Sequence, residues 1–321
     1  MSSAEKKTRD KAVKAVAAML ADEATVASYP KAEMDKLWKA LFFCYWMSDK
    51  PLVQQALSSE LAELLLTIKS TTEALRFLRS FWETTVREWS GLDRFRMDKF
   101  YMLVRKYVNA AFRLLARSEW DDAACKEYNS MLTGRGCPLC PDDPKVPSSL
   151  AYHLSDIWLE ELEKAMNNAE PSPPPAPLGV LLEPFISLAA LTNNARTHER
   201  VVNSVFKSLF GAIKAAAKAP APEDDGGERR AKRARLDEAA RAALSPKYPT
   251  LLAHTRVSAA AAGEDAAPLN LGDLRKCAIA LLFERASKEE TRDSNRRKLY
   301  ALWKEEMDDD EFAIPGGQNG Q

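Results

Sequence analysis

Cys137-Pro138-Leu139-Cys140 has the spacing of a metal knuckle and stands in a loop dense in glycine and proline, where a zinc site would place it. Zinc takes four ligands, and neither a second cysteine pair nor a His-x-x-His follows; the nearest histidine in sequence, His153, falls in the next helix. Free thiols and no metal are therefore expected. His153, His198 and His254 are scattered, and each suits a structural or surface place better than that of a base. No glycine-rich phosphate loop, nucleophile elbow or His-Glu-x-x-His helix occurs. With 12 glycines in 321 residues, the chain is also poor in the residue that nucleotide-binding turns need. These patterns argue against catalysis, a cofactor or a small-molecule substrate.

Clustered positive charge is the stronger signal. Residues 91–117, GLDRFRMDKFYMLVRKYVNAAFRLLAR, hold seven Lys/Arg and two Asp. Arg96, Lys99, Lys106, Arg113 and Arg117 project within a sector of roughly 100° of one helix. Beside them runs an apolar face of Phe100, Val104, Tyr107, Val108, Ala111, Leu114 and Leu115. One reading of the stripe is a solvated face. The other is an anion site: carboxylates of the same segment cannot pair most of the charge, and an anionic partner such as RNA would relieve the repulsion. Arg76, Arg79 and Arg87 line one side of the preceding helix as a second basic wall, which makes both sets candidate RNA contacts. A separate run, Arg229, Arg230, Lys232, Arg233 and Arg235, lies in a breaker-rich stretch and matches a nuclear-localisation signal.

Positioning these groups falls to helices. Val13, Val16, Ala17, Leu20 and Ala24 predict a first helix over 8–27, and Met34, Leu37, Trp38, Leu41, Phe42, Tyr45 and Trp46 a deeply packed second over 31–46. Ser48-Asp49-Lys50-Pro51 ends one helix and starts the next, over 52–68. Ser70 and Glu73 form a capping box for a helix over 71–90. Gly91 suits a left-handed helix end and Asp93 the cap of the helix that follows, so two helices meet at a tight corner. Asp121 and Asp122 open a shorter helix ending near Leu132, and Ser148 or Ser149 caps another whose Asp156, Glu160, Glu161 and Glu163 form an acidic face. Residues 170–177 read as a stiff polyproline spacer, after which 178–191 and 198–218 resume helical periodicity.

Successive amphipathic helices with short links predict an all-α protein, an irregular α-solenoid of stacked helical hairpins over residues 1–218. Residues 219–321 read as a low-complexity, partly disordered tail carrying the basic signal and two docking helices, 270–288 and 294–307. Its acidic end, 305–311, suits a solvated terminus or a basic partner. Lys+Arg and Asp+Glu both number 46, so only local asymmetry speaks about partners. Five scattered cysteines and a polar beginning argue for a reducing intracellular compartment, and no apolar run approaches the roughly 20 residues of a membrane span.

Two stretches go beyond pattern: Trp46-Met47-Ser48-Asp49-Lys50-Pro51-Leu52-Val53-Gln54-Gln55 and Trp89-Ser90-Gly91-Leu92-Asp93-Arg94-Phe95-Arg96-Met97-Asp98-Lys99-Phe100-Tyr101-Met102-Leu103-Val104-Arg105. Both resemble, almost word for word, the ribosomal RNA-processing protein 1 family, also called the nucleolar protein of 52 kilodaltons family. The resemblance implies a non-enzymatic, nucleolar assembly factor of the large ribosomal subunit. It would sit with other assembly factors and large-subunit pre-ribosomal RNA on the early pre-60S particle. It carries over no individual RNA contact. A helical adaptor that binds only proteins in the nucleus is the competing reading.

Overall fold

Apolar residues three and four apart close into helices wherever the sequence repeats them, and the breakers fall at the helix ends. The computed structural model describes residues 6–169, 174–218, 247–256 and 268–308. The first helices are α1 (Lys6–Ala21), α2 (Glu23–Ser28), α3 (Lys31–Trp46), α4 (Pro51–Thr67), α5 (Thr71–Trp89) and α6 (Arg94–Arg117). Then come α7 (Asp122–Thr133), α8 (Ser148–Asn167) and α9 (Leu178–Leu191). α10 (Ala195–Val201) passes through a π-helical turn, Val202–Lys207, into α11 (Ser208–Lys218). α12 (Pro249–Ala253), α13 (Leu271–Ser287) and α14 (Asp293–Met307) follow.

The helices alternate between two layers, with α3, α5, α7 and α9 packed in series and α4, α6 and α8 packed in series. This is the all-α stack of helical hairpins that the periodicity predicts. Within the second layer the helices run parallel, because their bonded partners advance together. Lys99, Tyr107 and Arg117 of α6 reach the carbonyls of Ser48, Leu61 and Ile68, and Tyr101 and Arg105 meet His153 and Glu161 of α8. Aromatic rings join the layers. Phe81 stacks on Tyr107 at 4.0 Å between centroids, Trp38 lies 5.3 Å from Tyr107 and Trp158 lies 4.9 Å from Phe185 across the layers, while Trp38–Phe77 at 4.6 Å and Trp158–Phe112 at 4.8 Å tie helices within a layer. Their polar ends are tied as well: Trp38 Nε1 donates to the Phe77 carbonyl at 2.8 Å and Trp158 Nε1 to that of Leu181 at 3.1 Å. Each such ring combines large apolar burial with a satisfied donor, worth about 1.5–3 kcal/mol in burial alone.

Several local expectations change. The first helix breaks at Asp22, whose carboxylate caps α2 by accepting from Thr25 N at 2.7 Å. Gly91 is not left-handed; its N–H donates to the Glu88 carbonyl at 3.1 Å, so the α5–α6 corner is built by a tightened last turn. Asp93 does cap α6, accepting from Phe95 N and Arg96 N at 2.9 and 3.1 Å. Only half of the capping box forms: Ser70 receives Glu73 N at 3.4 Å, while the Glu73 carboxylate turns to Arg76. α8 starts at Ser148 without a side-chain cap, and Ser149 instead accepts from Trp89 Nε1 at 3.0 Å. The acidic face of α8 is engaged: Asp156 pairs with Arg200, Glu160 and Glu161 with Arg105 and with Lys164 of the same helix, and Glu163 accepts from the N–H groups of Thr250 and Leu251.

Part of the polyproline spacer and most of residues 219–267 lie outside the described residues. Ala176–Pro177 pairs in parallel with Thr255–Arg256, a two-residue bridge without a sequence signal. α13 and α14 pack on α9 and α11. Asn295 Nδ2 donates to the carbonyls of Ala190 and Thr192 at 3.1 and 2.8 Å, closing the C-terminal end of α9. Glu306, expected in a solvated terminus, is buried against Lys214 and Arg275, and Glu305 pairs with Lys207 at 3.2 Å.

His153 and His198 place a ring nitrogen 3.0 and 2.8 Å from the carbonyls of Tyr101 and Ala189, and burial lowers the pKa of both. An unfolded imidazole protonates near 6.5. The unfolded chain therefore binds these protons first, and the stability from neutral histidines is complete above 6.5 and lost as pH falls through the lower folded values. The melting temperature is expected to drop between pH 7 and pH 5.5, and to drop less in a His153→Gln/His198→Gln variant, measured by circular dichroism.

Candidate nucleic-acid interface

The stripe on α6 exists, but it is not uncompensated. Lys99 is 4% exposed, and its ammonium donates to the carbonyls of Trp46 and Ser48, both at 2.6 Å. These carbonyls belong to the last turn of α3 and the link after it, where helix geometry leaves acceptors without partners. Burial, with Arg96 adding repulsion, pushes the Lys99 pKa down to about 8. Arg117 does the same work at the end of α4, donating to Leu66 and Ile68 at 2.8 and 2.7 Å. Arg113 takes the Glu63 carboxylate of α4, and Arg96 pairs with Asp93 while its guanidinium lies 4.9 Å from the Trp46 ring centroid. Lys106, half-buried, has no hydrogen-bond or ion-pair partner among the described residues.

The second basic wall faces elsewhere. Arg76 donates to the Tyr29 carbonyl at the end of α2 at 2.9 Å and pairs with Glu73. Arg79 crosses to Glu127 of α7 at 3.0 Å, and exposed Arg87 pairs with its neighbour Glu88 at 2.9 Å. The α6 cations thus turn to α3 and α4, and those of α5 to α2 and α7, which makes them two sets and not two walls of one corner. Counting charges within one segment cannot detect this. Arg96, Arg76 and Arg87 find carboxylates of their own segments, but Arg113 and Arg79 take carboxylates of other helices, and Lys99, Arg117 and Arg76 take main-chain carbonyls, which carry no formal charge.

Cys137 is buried and Cys140 half-buried, and burial pushes the Cys137 thiol up to about 12. No group of three or more His, Cys, Asp or Glu poised to hold a metal occurs among the described residues. No described helix is long and apolar enough to cross a membrane. The nuclear-localisation candidates, Arg229, Arg230, Lys232, Arg233 and Arg235, lie outside the described residues.

The two segments that carry the sequence resemblance meet in space. Residues 46–55 supply the α3–α4 link and residues 89–105 the α5–α6 corner, and Lys99, Arg96 and the Tyr45 hydroxyl, 2.8 Å from the Lys99 carbonyl, join them. The family described as nucleolar protein, Nop52, matches residues 1–303. The chain belongs to the Nop52 family. Among relatives, human ribosomal RNA processing protein 1 homolog B is 30% identical over 218 residues, which are 65% of this chain and 27% of that protein. Human homolog A is 28% identical over 314 residues, 93% of this chain and 67% of that one. The Drosophila melanogaster homolog is 32% identical over 173 residues, 53% of this chain and 24% of that one. The chain therefore spans between about a quarter and two thirds of these relatives. In this Nop52-family chain the corner has a concrete structural role, since Lys99 holds the end of α3 and the link after it, and Arg96 pairs with Asp93, the cap of α6. Sequence reasoning missed the surface beside it, where Leu52 and Phe95 are exposed just after their helices begin. A large apolar residue in the first turn, ahead of the periodic core positions, was the available signal.

Proposed function

We propose that this chain is a non-enzymatic ribosome biogenesis factor of the nucleolus, supporting pre-ribosomal RNA processing on the early pre-60S particle as a helical scaffold. Its partners are large-subunit pre-ribosomal RNA and other assembly factors. Support comes from relatives named for ribosomal RNA processing and a family described as nucleolar. The observation that carries the scaffold reading is the use of long cationic side chains as ties between next-but-one helices, which stiffens a stack whose outer faces remain for binding. RNA contact is assigned to the cationic groups these ties leave at the surface, Lys106 and Arg87 first, with the outer sides of Arg113 and Arg117. Arg76, Arg79, Arg96 and Lys99 hold the fold. Arg229, Arg230, Lys232, Arg233 and Arg235 serve nuclear entry, so their deletion is expected to lower nuclear accumulation of a fluorescently tagged chain.

Crosslinking RNA to the tagged protein in cells tests the direct contact. Discrete large-subunit sites are expected, lost in Lys106→Glu/Arg87→Glu, which leaves the helix ties intact. In vitro, affinity for a single-stranded fragment should fall with salt at a logarithmic slope of about 0.7 per phosphate neutralised. Particle association without crosslinks would leave the protein-only adaptor, which the engagement of most α6 cations within the fold favours.

A further inference from the structure

Leu52 and Phe95 are each 81% exposed, well above the other large apolar side chains among the described residues, and they stand at the same end of the parallel helices α4 and α6. Lys99 lies one turn beyond Phe95 on the same side of α6, with its ammonium between the Trp46 and Ser48 carbonyls. Phe95 therefore flanks the turn bearing Met47, itself 44% exposed, and α4 starts directly after that turn with Pro51 and Leu52. The core behind is already closed by Phe42 and Phe100, 4.6 Å apart, and by the Trp46 ring. Packing accounts for none of these three exposed side chains. The Arg94 guanidinium lies over the Phe95 ring, 4.9 Å from its centroid.

We propose that this corner docks a short amphipathic helical segment of a partner protein, with two or three apolar anchors flanked by charges of both signs. The rim sets the chemistry. Exposed Lys50 and Arg94 are balanced by exposed Asp49 and Asp98, so a polyanion gains no net attraction there, while a segment of mixed charge finds a complement to each. Area sets the size. Three side chains offer on the order of a few hundred Å², against roughly 1,200–2,000 Å² for a stable dimer, which suits a helix laid between two helix ends better than a second copy of this chain. The surface rests on the scaffold reading only in taking the partner to be another assembly factor.

The test pans a random dodecapeptide phage library on the full chain, then measures selected peptides against wild type and Leu52→Ser/Phe95→Ser. Both changes lie at the surface, and an unchanged melting curve serves as the folding control. Selected peptides with apolar residues at helical spacing, binding the variant at least about tenfold more weakly, are expected. No enrichment, or peptides indifferent to the substitutions, overturns the proposal. So does a uridine oligonucleotide whose affinity falls in the variant, which makes the corner a base-stacking site, or a concentration-dependent dimer abolished by it, which makes it a self-interface. Absence of the wild-type chain from pre-ribosomal particles would defeat the scaffold reading and leave the peptide result standing.

Discussion

Lys99→Met is expected to destabilise the protein by about 2–3 kcal/mol, because it removes two charge-assisted hydrogen bonds and leaves the Trp46 and Ser48 carbonyls facing a buried methyl. At this chain size that is a fall of roughly 3–6 °C in melting temperature. Lys99→Glu should not fold at all, since a buried carboxylate would face two carbonyl oxygens. Lys106→Glu, half-buried and unbonded among the described residues, should stay within about 0.5 kcal/mol of wild type. Thermal unfolding followed by circular dichroism compares them. A Lys99→Met protein that melts like wild type would remove the ammonium from any structural role. A charge-reversal series meant to probe RNA binding must therefore spare Lys99, or lost association will only report lost structure.

Glu306→Ala is expected to cost about 3–5 kcal/mol, concentrated where α13 and α14 meet α11. The Glu306 carboxylate is buried, 2.9 Å from Lys214 and 3.3 Å from Arg275, whose side chain is itself only 8% exposed. Truncation takes the Glu306 carboxylate away from Arg275 and Lys214, and breaking a buried ion pair from one side is the expensive way to lose it. Hydrogen exchange should show α13 and α14 losing protection while α3 to α6 keep theirs. Replacing both charges, Arg275→Met with Glu306→Leu, should recover most of the loss. Uniform loss of protection along the chain would instead mean that the last helices and the stack unfold as one unit.

The helices were legible because their ends carry local chemistry. Pro51, Asp93 and Asp121 act within three residues of the groups they terminate, and the spacing of Trp38, Phe42 and Tyr45 records one buried side. The α6 stripe was legible as residue type and angle, and illegible as function. Arg117 reads as a free cation until the carbonyls of Leu66 and Ile68 are placed beside it. The segment around α12 was missed for a related reason. Five helical residues are too few for a period, Tyr248 enters them through a left-handed φ of 63°, and their free N–H groups are met by Glu163 from far along the chain. Family resemblance located the important corner without saying that its cations look inward.

The ties between next-but-one helices have a regular reach, 46 to 56 residues from Leu61–Tyr107 to Arg105–Glu161. A nascent chain leaving the translation tunnel therefore meets each partner one hairpin late. The end of α4 waits with open carbonyls until Arg117 has been made, and α6 waits for α8. The end of α9 waits longest, since Asn295 arrives 105 residues after Ala190. Synthesis would lay the stack down in order, one latch behind, and leave the α9 edge open until α13 and α14 emerge.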